Sequence, residues 1–121
     1  TYSANPITCA AAIAGIDLLL NDEIQSSITR INQMHLEFQD RINKNEKVKA
    51  TRVLGVIFAL ELNVEMDRYG SLRDRLFNYY MSNGVFLRPL GNTVYILPPF
   101  VITDDELTKV YNVIENSLEI V

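Results

Sequence analysis

Cysteine is almost missing from these 121 residues, with Cys9 the only one, and tryptophan is missing altogether. One thiol cannot close an internal disulfide or build a cysteine-based zinc cluster, so the fold must rest on packing. Cys9 lies among alanines in an apolar run and reads as a buried packing residue. Histidine is equally scarce: the single one, His35, has no carboxylate or cysteine at ligand spacing and reads as a satisfied structural residue rather than a metal ligand. Positive charge is in deficit, 11 Lys and Arg against 15 Asp and Glu for a net −4. Without a basic stripe interleaved with aromatics, a phosphodiester backbone has nothing to dock on. No apolar run reaches the roughly 20 residues that span a bilayer. The start lacks the basic, apolar and small-residue regions of a signal peptide. The expected setting is the cytosol, with neither nucleic acid nor membrane as partner. A Gly-rich phosphate loop, a Cys-x-x-Cys pair and a Ser-His-Asp set are all lacking as well. The chain opens at Thr1 without an initiator Met, which reads as a processed or excised piece of something longer.

What is present, 48% hydrophobic residues, suffices for one modest core. Asn5-Pro6 is a helix start, because Asn caps free amides and Pro tolerates the first helical position. The run Ile7 to Leu20 is apolar nearly all round, as in a helix packed on several sides, and Asn21-Asp22-Glu23 marks a kink or a new cap. Beyond it Ile24, Ile28, Ile31, Phe38 and Ile42 form one stripe, on which His35 falls. Lys44, Lys47 and Lys49 belong to a solvated connection. The period then changes. Lys49 to Val53 reads as a strand, Leu54-Gly55 as a tight junction or bulge, and Val56 to Leu62 as a strand buried on one face and largely covered on the other. Ser71 to Ser82 reads as a helix capped by Ser71 with Asp74 completing a capping box, ended by Asn83-Gly84. Its Tyr79 and Tyr80 read as core. Thr103-Asp104-Asp105-Glu106 is a second capping box, opening a helix whose buried stripe is Leu107, Val110, Tyr111, Ile114 and Leu118. The order gives an α+β fold: a long two-part helix, then a small, mostly antiparallel sheet with helices on one face.

Gly84 to Pro99 is the stretch with the most to say. Val85 to Leu87 and Thr93 to Leu97 flank Gly91-Asn92, the signature of a two-residue hairpin with a II′ turn. That turn sets Leu90 opposite Thr93 and Arg88 opposite Tyr95, with both of the latter on one face. A guanidinium beside a phenol on an apolar ribbon can hold a carboxylate; equally, it can be an Arg snorkelling from a strand end beside an ordinary Tyr.

Three stretches carry a resemblance that composition does not: Thr-Tyr-Ser-Ala-Asn-Pro-Ile-Thr-Cys-Ala-Ala-Ala at the start, Gly84 to Pro99, and Thr-Asp-Asp-Glu-Leu before the last helix. They resemble the class III pyridoxal-phosphate aminotransferases over essentially the whole chain. Arg-Pro-x-Gly-x-x-x-Tyr narrows the likeness to members that move the amino group of S-adenosylmethionine to 8-amino-7-oxononanoate in biotin synthesis. The resemblance implies a C-terminal portion of a fold type I enzyme, with residues 1–46 a linker helix and 47–121 the small domain. It implies pyridoxal 5′-phosphate as cofactor, bound mainly by a large domain lacking here, and a homodimer that shares its active sites. By position in the motifs, Thr1 is implied to bond the cofactor phosphate of the partner subunit, Arg88 to pair with the substrate carboxylate, and Tyr95 to line the substrate pocket. The family's aldimine lysine lies upstream of the threonine motif, so no catalytic residue is expected in this chain, and alone it is expected to be inactive. Another class III aminotransferase of ω-amino acid or ornithine type, or a free-standing binding module without catalytic machinery, is the alternative.

Overall fold

The computed structural model describes residues 4–65 and 70–121. The Asn5 side chain accepts from the Ile7 amide at 3.0 Å and Pro6 takes the first position of α1 (Pro6–Leu19). Asn21 repeats the device 2.8 Å from the Glu23 amide and opens α2 (Asp22–Ile42), with Asp22 and Glu23 set favourably in its first turn. The Asn21 cluster is therefore a new cap.

Strands β1 (Val48–Leu54), β2 (Ile57–Leu62) and β3 (Thr93–Ile96) form one antiparallel sheet in that order. Leu54 pairs with Ile57 across Gly55-Val56, and Gly55 supplies φ +56° at the first turn position, so the junction is a tight turn. The register slip falls instead between Val48 and Ala50. Helix α3 (Ser71–Ser82) precedes β3, and α4 (Asp104–Ser117) follows it, running into a 3₁₀ turn at Leu118–Ile120.

Phe58, Leu60 and Leu62 of β2 and Val94 and Ile96 of β3 share one buried face. Against it pack Ile31, Phe38 and Ile42 of α2, Leu76 and Tyr80 of α3, and Leu107 and Ile114 of α4. Each such side chain contributes about 1.5–3 kcal/mol by leaving water. The other face stays open, with Ile57 42% exposed. The expectation that β2 is largely covered on both faces is thus corrected: the helices dock on one side only.

Two further expectations change. Cys9 is exposed, not buried: it lies on helix α1, none of whose residues is buried among the described residues. Ser71 does not cap α3. Gly70 occupies the cap position without a side-chain bond, so Ser71 is already inside the first turn, and Asp74 pairs with Arg73 at 2.8 Å instead of completing a box. The Thr103–Glu106 box does form: the Thr103 hydroxyl accepts from the Glu106 amide and the Glu106 carboxylate accepts from the Thr103 amide at 2.9 Å. The Thr103 amide, joined by the Thr103 hydroxyl 3.0 Å from the same oxygen, holds the Glu106 carboxyl below the usual carboxylate range.

His35 closes the core. Its Nε2 lies 3.0 Å from the Val56 carbonyl oxygen, which can only accept, so that nitrogen carries the proton. The other, Nδ1, then accepts from the Tyr111 hydroxyl at 2.7 Å. Phe38 stacks on Tyr111 with centroids 4.3 Å apart. One neutral imidazole thus ties α2 to the β1–β2 turn and to α4, the structural role expected of it. Tyr80 is likewise core, its hydroxyl 3.0 Å from Ser117 Oγ, and burial pushes its phenol up to about 12. Lys47, for which the sequence suggests no task, donates to the Leu118 carbonyl at 2.9 Å. Among the described residues no helix is long and apolar enough to cross a membrane, and no cluster of three His, Cys, Asp or Glu could hold a metal.

Candidate functional site

The end of α3 aims the segment that carries Arg88. Gly84 takes φ +71°, its amide donates to the Met81 carbonyl at 3.1 Å, and the Val85 amide donates to the Tyr80 carbonyl at 3.0 Å. This is the paired closure of a Schellman motif, which suits glycine because a side chain is strained there. From here burial alternates: Val85, Leu87 and Pro89 are buried while Phe86, Arg88 and Leu90 are exposed. Leu90 and Thr93 then exchange backbone bonds of 2.8 and 3.1 Å around Gly91-Asn92, with positive φ at Gly91, +59°, and not at Asn92, as a II′ turn requires.

The turn forms as expected, but the strand Val85 to Leu87 does not. The ladder stops after the Leu90–Thr93 rung, and β3 pairs through its other edge with β2. Pro89 fixes its own φ near −65° and restricts Arg88, so the segment cannot follow β3 as a regular strand. The alternation survives the loss of pairing. Arg88 and Tyr95 both face outward, and both line one concavity of about 900 Å³.

The turn is fixed to the sheet from below. The Leu62 amide donates to the Asn92 carbonyl at 2.8 Å, and Asn92 Nδ2 donates to the Glu61 carboxylate at 3.2 Å. Lys49 donates to the same carboxylate at 2.7 Å, and these two donors hold the Glu61 carboxyl low. One wall of the concavity is apolar: Phe86, Leu97 and Val101 are 74%, 63% and 79% exposed. Lys109 and Glu106 also line it, but Glu106 is engaged with Thr103. Among the described residues neither the Arg88 guanidinium nor the Tyr95 hydroxyl has a hydrogen-bond partner. Arg88 is thus a fork of donors without an acceptor at the edge of an apolar wall. Such a site can take a carboxylate in two parallel bonds and lay its hydrocarbon against Phe86 and Leu97.

Of the three sites expected from sequence, Arg88 and Tyr95 meet at this concavity, and Thr1 lies outside the described residues. Phe86, Val101 and Lys109 were not anticipated. The outward alternation with Arg88 already marks Phe86, whereas nothing in the sequence joins Lys109 of α4 to the ribbon.

Comparison with known proteins decides the family. The sequence model of the class-III aminotransferases matches residues 1–118. The chain belongs to this family. A class-III relative from Synechococcus elongatus, an adenosylmethionine-8-amino-7-oxononanoate aminotransferase, is 37% identical over 98% of this chain and 28% of its own length. The enzyme of that name from Saccharomyces cerevisiae is 31% identical over 94% of this chain and 24% of its own. The chain therefore spans about a quarter of the length of the curated relatives it matches. Among solved structures, the omega-transferase from Vibrio fluvialis JS17 superposes with a TM-score of 0.82 at 26% identity, over 94% of this chain and 28% of that one. A PLP-bound amine transaminase from an uncultivated Pseudomonas species also gives 0.82 at 26% identity, over 98% and 28%.

Pyridoxal phosphate needs an amine for its aldehyde, a partner for its pyridine nitrogen and a cluster of donors for its phosphate. In this class-III chain the concavity holds one guanidinium and one amine, Lys109, but its carboxylate Glu106 is committed to Thr103 and the Thr103 and Glu106 amides are taken by their own capping box, so it offers neither a pyridine-nitrogen partner nor a cluster of donors for the phosphate. The described residues do not fit the cofactor, and no chemical step is derived through it.

Proposed function

We propose that this chain is the linker helix and C-terminal small domain of a transaminase that moves the amino group of S-adenosylmethionine to 8-amino-7-oxononanoate, giving 7,8-diaminononanoate in cytosolic biotin synthesis. The observation that carries the reading is Arg88, outward on the same concavity as Tyr95 and without an acceptor among the described residues, in a chain whose curated relatives bear that activity in their name. Residues 1–46 are the linker, whose α2 half docks through Ile31, Phe38 and Ile42, and 47–121 are the domain. Arg88 binds the substrate carboxylate and Tyr95 lines the pocket beside it. The chain supplies recognition and not chemistry. Pyridoxal 5′-phosphate and its lysine belong to a large domain outside this chain, and Thr1 bonds the cofactor phosphate across a homodimer. The isolated chain is inactive for that reason.

The test is an assay of the full-length parent with S-adenosylmethionine and 8-amino-7-oxononanoate. Amino transfer is expected, and its absence overturns the reading. The likeness to the Vibrio fluvialis omega-transferase supports one competitor, a transaminase of another donor. Replacing S-adenosylmethionine with an ω-amino acid in the same assay separates the two. Loss of pyridoxal-phosphate absorbance on dialysis of Thr1→Ala is the expected sign of the phosphate contact.

A further inference from the structure

Between β3 and α4 the chain runs from Leu97 to Thr103 as a loop, and Leu97, Pro98, Pro99, Val101, Ile102 and Thr103 all line the concavity that holds Arg88. The loop does little to fix itself. Pro98 and Pro99 have no amide to donate, and its one internal backbone bond runs from the Ile102 amide to the Pro99 carbonyl at 3.1 Å. What grips it comes from 70 residues away. Arg30 of α2 donates through Nη2 to the Ile102 carbonyl at 2.6 Å, and through Nη1 to the Asp104 carboxylate at the start of α4. Nη1 also lies 3.8 Å from Met34 Sδ on the next turn of α2. The two terminal nitrogens of one rigid guanidinium thus hold the Ile102 carbonyl, next to the end of the loop, and the first helical carboxylate at a fixed spacing, which a lysine cannot do. Arg30 reaches neither the concavity nor Arg88. It acts through the loop.

We propose that Arg30 is a positioning residue for substrate: it sets the wall formed by Leu97 to Thr103, and so how closely the hydrocarbon of a carboxylate held by Arg88 is packed. The inference rests on the carboxylate-binding reading of the concavity. It assigns the linker helix a part in substrate selectivity. A 1 Å misplacement of such a wall costs binding without touching the reacting atoms.

The experiment uses the full-length holoenzyme with Arg30→Ala, Arg30→Lys and a control, Arg41→Ala. Arg41 pairs with Glu115 at 3.2 Å, so its loss also weakens the joint between α2 and α4, but away from the loop. Arg30→Ala is expected to raise KM for the carboxylate-bearing acceptor about tenfold with kcat changed less than about threefold. Arg30→Lys should recover only part of this, since one ammonium cannot hold both oxygens. Arg30→Ala and Arg41→Ala should lower Tm by similar amounts, with KM unchanged in Arg41→Ala. Amide exchange over residues 97–103 should quicken in Arg30→Ala and not in Arg41→Ala. An unchanged KM in Arg30→Ala, an equal rise in Arg41→Ala, or full recovery by Arg30→Lys overturns the proposal. If the wild-type enzyme turns over no 8-amino-7-oxononanoate, the functional reading fails, and KM is then measured for the acceptor it does use. If it uses none, unchanged loop exchange overturns the positioning role.

Discussion

Among the described residues, His35 with Tyr111 and Arg88 with Tyr95 invite comparison, because they differ in whether their hydrogen bonds are already made. Inside, both nitrogens of His35 are bonded, to Val56 and to Tyr111, and nothing is left over for a ligand. Outside, Arg88 and Tyr95 have no partner among the described residues, although the guanidinium can donate several bonds and the phenol can donate one and accept others. Burial explains the contrast. An imidazole in the core must be satisfied at once or cost several kcal/mol, whereas a guanidinium on an open wall is satisfied by water until a carboxylate arrives. Residue type does not distinguish the pairs; the count of unused donors does.

The largest break in this comparison is expected at His35. His35→Ala leaves the Val56 carbonyl and the Tyr111 hydroxyl buried without their partner and opens a cavity between α2 and the sheet. That should cost about 3 kcal/mol, read as a lower urea midpoint. Arg88→Ala should leave that midpoint within about 0.5 kcal/mol, because no described contact is lost. In the full-length enzyme it should instead raise KM for the carboxylate substrate roughly 30-fold, about 2 kcal/mol for a charge-assisted bidentate contact, with cofactor absorbance intact. A stability loss at Arg88, or unchanged KM, would erase the distinction.

Tyr111→Phe sharpens it from the other side. Removing the donor strands His35 Nδ1 as a buried acceptor, for about 1–2 kcal/mol. Burial already lowers the His35 pKa. The unfolded chain therefore takes up this proton at higher pH than the folded one. The stability tied to the neutral ring is complete above the ordinary imidazole value of about 6.5 and drains as pH falls through the lower, folded value. Urea midpoints at pH 8 and pH 5.5 should show the loss, and His35→Ala should flatten that part of the profile. Equal slopes in both would remove His35 as its source.

How much of this was legible in the sequence follows the range of each interaction. The Asn5, Asn21 and Thr103 caps and the Gly55 and Gly91 turns each depend on residues within four positions of one another; Asn5, Thr103 and Gly91 were readable outright, while the pattern leaves Asn21 between a kink and a cap and Leu54-Gly55 between a tight junction and a bulge. Ser71 shows the limit even there: one residue separates a cap from a first-turn position, and the pattern does not decide which. The Val85 to Leu87 strand failed on a neighbour: Pro89 was in plain view, and its fixed φ and its restriction of Arg88 keep the segment from following β3 as a regular strand. Cys9 failed because an all-apolar helix announces a partner without saying whether this chain contains it. The partners of His35 stand 21 and 76 positions away, and Arg30 stands 72 from the carbonyl it holds. Contacts at that range have no local signature. For the same reason the shared outward direction of Arg88 and Tyr95 was countable across a two-residue turn, although their pairing does not form, while the loop that lines the same concavity was not.

Tyr95→Phe is the smallest and the most discriminating change. The phenol is 42% exposed and its hydroxyl has no described partner, so the folded chain should be indifferent to it, with stability within about 0.5 kcal/mol. The ring itself stays, and with it the wall beside Arg88. Any rise in KM then reports the hydroxyl alone. If the carboxylate held by Arg88 also accepts from the phenol, the loss of that one bond should raise KM about fivefold, close to 1 kcal/mol. It should do so only while Arg88 is present, because without the guanidinium the carboxylate is no longer held within reach. A double-mutant cycle in the full-length enzyme therefore decides whether these two side chains form one site. A coupling near zero would make Tyr95 a bystander on the wall and leave Arg88 to bind alone.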